Sequence, residues 1–325
     1  MTTTATSATM PTASGRAALA LRPRSALAVT AVTLAGLAGF TWPLFAGGRL
    51  AGSHAVDAPW LFVALLPLLL AVVFAEVSDG GLDVKGVALL GVLAACGAAL
   101  RPLGGGATGF QPMFFLLLPA GRVFGRGFGF VLGAVTMFAG ALLTGGVGPW
   151  LPFEMLGAAW VGFGAGCLPR ARGRWEIALL AAYGAVAGLL YGLLLNLWFW
   201  SFAHDLPPAI AFVPGGSLAT NLHHWVHHDV ATSLGFDVPR ALTTAALVVI
   251  AGRPVLLALR RAARRALFEG SGKGVAVDTP VQEEEDGRGD RAGRREREDP
   301  GDHDVAGHAP PHRREPLGRA HAENR

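Results

Sequence analysis

Eight apolar runs with almost no charge leave this chain few folds to choose from. They lie at residues 26–46, 58–75, 86–100, 112–121, 127–145, 155–169, 177–202 and 241–259. A helix needs roughly 20 apolar residues to cross the hydrocarbon of a bilayer, and fewer where it is packed inside a bundle. Lipid offers no partners to backbone N–H and C=O groups, so such runs must be helical to satisfy their own hydrogen bonds. The expected fold class is therefore an all-α integral membrane protein of about eight transmembrane helices. The fourth run is too short to span alone, so it is expected to be tilted, extended by its flanks, or re-entrant and shielded by protein.

Composition supports a lipid environment. Of 325 residues 52% are hydrophobic and 15% charged, against about a quarter charged in soluble domains. Mean hydropathy is +0.43. Most acidic residues and many arginines lie after Phe268, so the positive net charge says little about nucleic acid, and no nucleic-acid partner is expected. Cys96 and Cys167 fall inside apolar runs with no neighbouring ligands; they are expected to be small apolar fillers rather than a disulfide or a zinc site.

Cytoplasmic loops collect Arg and Lys, which tests the topology. With the N-terminus inside, the inner side receives Arg16, Arg22, Arg24, Lys85, Arg122, Arg126, Arg170, Arg172, Arg174 and the Arg260, Arg261, Arg264 and Arg265 cluster. The outer side keeps little beyond Arg49, Arg101 and Arg240. Eight spans with both termini in the cytoplasm, in a plasma membrane, fit that count. Residues 1–25 read as a disordered cytoplasmic arm, 26–85 as two spans, 86–268 as a six-helix bundle, and 269–325 as a polar, disordered cytoplasmic tail.

Two outer loops carry the chemistry. One runs from Arg101 to Pro112 and ends Gly109-Phe110-Gln111-Pro112; the other runs from Thr144 to Met155 and contains Trp150, Phe153 and Glu154. Glycine lets backbone approach a ligand, proline fixes the turn, and the aromatic and polar side chains supply stacking and hydrogen bonds. Glu154 is a functional candidate as an ionisable group near the membrane interface, or a helix-start carboxylate favoured by the helix dipole. Arg101 either binds an anionic group or snorkels to headgroups. Asn196 and Trp200 close the seventh run on the same side, where Trp also serves as an interfacial anchor.

The longest outer loop, residues 201–240, holds His223-His224-Trp225-Val226-His227-His228-Asp229. The i, i+4 spacing of His223 with His227 and of His224 with His228 suits a shared metal on a helix face; the bland alternative is an interfacial amphipathic segment. Neither paired carboxylates nor a nucleophile elbow occurs, and Gly104-Gly105-Gly106 lacks the Lys and Ser/Thr of a phosphate-binding loop. No catalytic residue and no cofactor is expected.

From residue 86 onward the order of features resembles the substrate-binding (S) component of an energy-coupling factor (ECF) transporter, and within it an actinobacterial-type subgroup. Four stretches carry the likeness, over about half the chain: residues 94–101, 109–112, 121–133 and 145–155. The resemblance implies a six-helix bundle that captures a vitamin or similar micronutrient from outside, cobalamin being the first to try. It implies as partners a transmembrane T component and two ATPase subunits, which would supply the energy. It places the substrate at the outer ends of the last helices under the two loops just described, and a partner-subunit interface on the Ala94/Ala98 and Ala95/Ala99 spacing, since small residues let helices approach closely in lipid. The two N-terminal spans and the tail depart from the six-helix pattern, and Met1-Thr2-Thr3 does not match the metal-binding N-terminus of the family's nickel and cobalt members. A self-contained secondary transporter is the alternative, then a membrane-embedded transferase or a metal-ion-binding S component.

Overall fold

The structure, a computed structural model, describes residues 23–45, 66–67, 69–71, 84–104, 109–203 and 205–271. Most of the expected arm, of the tail and of the second span lies outside the described residues. The helices are α1 (Pro23–Phe45), α2 (Val84–Leu100), α3 (Met113–Phe124), α4 (Arg126–Thr144), α5 (Leu151–Cys167), α6 (Arg174–Trp200), α7 (Leu218–Thr232) and α8 (Leu234–Ser271), with one 3-10 turn at Pro102–Gly104, and all but α7 follow apolar runs. Among the described residues four helices are long and apolar enough to cross a membrane: α2 with its 3-10 extension, α4, α6 and α8. Their outer faces carry exposed Val92, Leu142, Leu143, Val186, Leu190, Leu242, Val249 and Ile250, a coat suited to lipid and costly in water.

What holds the helices together is glycine. In lipid no hydrophobic force separates helix from solvent, so close backbone packing drives association. On α4 and α5, Gly129 faces Gly162, Gly133 faces Ala158, and Gly166 faces the backbone of Arg126; a Cβ at any of these glycines would strike main-chain atoms. The pairing runs antiparallel, and Gly121 of α3 also rests on the Gly162 carbonyl. A second stripe, Gly184, Gly188 and Gly192 on α6, meets Thr244, Ala241 and Asp237 on α8, again antiparallel.

The short α3 spans only 12 residues, about 18 Å at 1.5 Å per residue. It is shielded by protein: Met113, Phe114, Leu117, Leu118, Ala120 and Phe124 are all buried. It reverses into α4 through the single residue Gly125 (φ 99°), whose N–H bonds the Gly121 carbonyl at 2.9 Å. Helix α1 lies against α5, where Trp160 donates to Thr33 Oγ1 at 3.1 Å and Phe40 meets the Phe153 ring edge-on.

Three expectations change. The loop between the last two long helices contains α7, a full helix capped by Ser217, whose Oγ accepts the Thr220 N–H at 3.1 Å. Helix α8 begins at Leu234 rather than Ala241 and continues past residue 259 to Ser271, so Asp237 and Arg240 lie in its first turns rather than in a loop. Cys96 and Cys167 are exposed rather than packed as fillers.

Candidate functional site

The ends of α2, α4 and α6 and the starts of α3, α5 and α8 converge at one end of the bundle, and a buried charged cluster forms there. Arg240 anchors it. Its Nη1 donates to Asp237 Oδ1 at 2.6 Å and to the Gly188 carbonyl at 3.1 Å, and its Nε donates to Gln111 Oε1 at 2.9 Å. Three elements meet in that one side chain: α8, α6 and the segment leading into α3. Gly192 has no side chain where the Asp237 carboxylate rests, which is why α8 can bring this pair so close to α6.

Arg101, at the end of α2, donates from Nη2 to Glu154 Oε2 at 2.7 Å and from Nη1 to the Met137 carbonyl at 3.0 Å. Its stem lies where a Cβ on Gly140 would stand. Tyr191 sits between the two ion pairs. Its ring lies 5.2 Å from the Arg240 guanidinium and edge-on to Phe114 at 4.8 Å, and it fills the space left by the absent side chain of Gly157, one turn beyond Glu154. Two ion pairs, Arg101 with Glu154 and Arg240 with Asp237, thus lie at this end of the bundle, with the Tyr191 ring beside the Arg240 guanidinium; ionisable groups next to apolar spans are costly to hold and are functional candidates by default.

Beside this cluster, α7 docks on α6. Asn196 donates from Nδ2 to Asp229 Oδ1 at 2.7 Å, and Trp200 donates to the Ile210 carbonyl at 2.6 Å while its ring lies tilted 6.4 Å from that of His228. Asn221 clips the preceding loop, exchanging hydrogen bonds with the Val213 backbone at 2.9 and 3.0 Å. His228 is buried, and among the described residues no hydrogen-bond partner meets its Nδ1. Burial pushes its imidazole below the ordinary value, and neighbouring Asp229 pulls the other way.

Of the residues expected at a site, Arg101, Gln111, Glu154 and Asn196 belong to this end's polar network. Phe153 does not: it is fully buried, packs on Phe40 and Trp198, and lines an apolar crevice with Val32, Leu69, Pro152 and Leu156. Trp200 is likewise core, held by its own loop. Trp150 bonds the Gly146 carbonyl at 3.2 Å and lies near Phe199, and Phe110 is half exposed at the rim. Ala94 and Ala98 are buried within the bundle, on the face of α2 where Gly97 meets Thr136 of α4, whereas Ala95 and Ala99 are exposed. Only the second pair has a face to offer a partner.

The histidine run does not gather one metal centre: among the described residues no group of three or more His, Cys, Asp or Glu is placed to hold an ion. His224 Nδ1 contacts the Ala211 carbonyl at 2.8 Å and His228 faces inward.

Two residues were missed from the sequence, Asp237 and Arg240. Their i, i+3 spacing is the signal that could have found them, once the helix is extended back through Pro239.

At the opposite end of the bundle Glu176 Oε1 accepts from Arg122 Nε at 3.0 Å and from Arg260 Nη2 at 2.6 Å, and Arg122 Nη1 reaches the Leu168 carbonyl at 2.7 Å. The two charged clusters are separated by the apolar length of the helices. No protein-family model, no curated protein and no solved structure matches the chain.

Proposed function

We propose that the chain is the solute-capturing membrane subunit of an importer of the energy-coupling factor type, with the Arg240 end facing outside and the Arg260 end facing the cytoplasm. The observation that carries this reading is the two ion pairs, Arg101 with Glu154 and Arg240 with Asp237, drawn from separate elements to the end where the loop charges are sparse, with Tyr191 beside the Arg240 guanidinium. A vitamin-sized polar solute bearing charged or strongly hydrogen-bonding groups would exchange with these internal pairs under the loops that hold Gln111 and Trp150. The exposed Ala95/Ala99 face of α2 would then meet a T component, and ATP would be hydrolysed by partner subunits. On this reading the protein is not an enzyme and sits in the plasma membrane with both termini inside.

Support for a self-contained secondary transporter comes from the second ion cluster, Arg122–Glu176–Arg260, because charged pairs at both ends of a bundle suit gates that open in turn.

Mass spectrometry of small molecules released by denaturing the detergent-purified protein separates the readings. A vitamin-class compound at near-equimolar amount, lost in Arg240→Gln and Glu154→Gln but kept in Glu176→Gln, is the expected result. An empty protein that drives uptake alone in liposomes overturns the capture-subunit reading in favour of the transporter.

A further inference from the structure

We propose that the exposed face of α7 binds a divalent transition-metal ion of the Zn2+, Ni2+ or Cu2+ class through His223 and His227. This site is separate from the charged cluster and does not rest on the function proposed above. Because α7 is a regular helix capped at Ser217, residues 223 and 227 fall one turn apart on one face. Their rings lie 4.3 Å between centroids, and both side chains are exposed.

The tautomer is set as well. His227 Nδ1 stands 2.9 Å from the His223 carbonyl. A carbonyl only accepts, so Nδ1 carries the hydrogen and Nε2 is left with a free lone pair, the arrangement in which a backbone carbonyl orients a metal-binding imidazole. No Lys, Arg or Glu occurs in α7 to repel or compete for a cation, and its one carboxylate, Asp229, is buried on Asn196. The neighbouring histidines serve the fold instead: His224 bonds a carbonyl and His228 packs on Trp200.

With two protein ligands, the remaining coordination positions go to water. The site is therefore open, and imidazole donors favour Cu2+, Ni2+ and Zn2+ over Mg2+, Ca2+ or Mn2+. Metal bridging of consecutive turns also stiffens α7, since an ion bound only by the folded helix raises stability by mass action.

The test is direct metal binding to the full-length protein in detergent, with Ni2+, Cu2+ and Zn2+ chlorides as probes and Mg2+ as the control. The tail histidines His303, His308, His312 and His321 are a competing source of binding, so a variant with all four changed to Gln is run beside the wild type. One equivalent should persist in that tail variant and vanish when His223→Gln or His227→Gln is added, while melting without metal stays unchanged. Binding that disappears with the tail histidines, or that survives both helix substitutions, overturns the proposal.

Discussion

Asp237 shows what a single side chain decides here. Its pair with Arg240 is almost wholly buried, with side-chain exposures of 4% and 8%, whereas Arg101 and Glu154 keep 20% and 17%. Removing one partner of a buried pair leaves an uncompensated charge and costs about 3–5 kcal/mol; where water still reaches both partners the loss is smaller. Asp237→Ala should therefore destabilise the protein by that larger amount and Glu154→Ala by distinctly less, read from SDS-induced unfolding in mixed micelles. Equal losses would mean that the two pairs are equally screened. Part of this polar network was legible in the sequence. Arg101, Gln111, Glu154 and Asn196 were visible as polar groups next to apolar runs. Asp237 and Arg240 were not, because Pro239 has no N–H to give and reads as a helix boundary, while the fold lets the helix run through it. That Phe153 and Trp200 lie in the core was not legible for a different reason: an aromatic at a helix end has the same sequence signature whether it faces a cavity or the core.

The helices themselves were legible, their packing less so. Apolar run length marked every long helix, but α7 escaped because its pattern is polar and amphipathic rather than uncharged. The stripe Gly184, Gly188 and Gly192 also went unnoticed, since one more glycine is a faint signal in a chain with 45 of them. Space tells the glycines apart. A Cβ at Gly162 would strike the backbone of Gly129, while one at Gly91 would meet nothing within 4 Å among the described residues. Gly162→Ala should cost about 1–3 kcal/mol through overpacking. Gly91→Ala should add roughly 0.5–1 kcal/mol by stiffening the unfolded helix segment. Opposite shifts of the melting midpoint in detergent check both, and a neutral Gly162→Ala would show that α4 and α5 can separate without loss.

At the scale of the molecule, an apolar middle is bounded by charged clusters at both ends. Along α6 the distance from Glu176 to Asn196 is 20 residues, and along α8 the distance from Arg240 to Arg260 is also 20. At 1.5 Å per residue each comes to about 30 Å, the thickness of a typical hydrocarbon core. Two helices running in opposite directions carry the same length marks. The protein is thus a ruler for the bilayer around it: a thicker membrane pulls Glu176 and Arg240 into hydrocarbon, and a thinner one bares leucine and isoleucine to water. Reconstituted in phosphatidylcholines of increasing acyl length, it should melt highest where the core is about 30 Å and lower on either side, as mismatch strains a helix of fixed span.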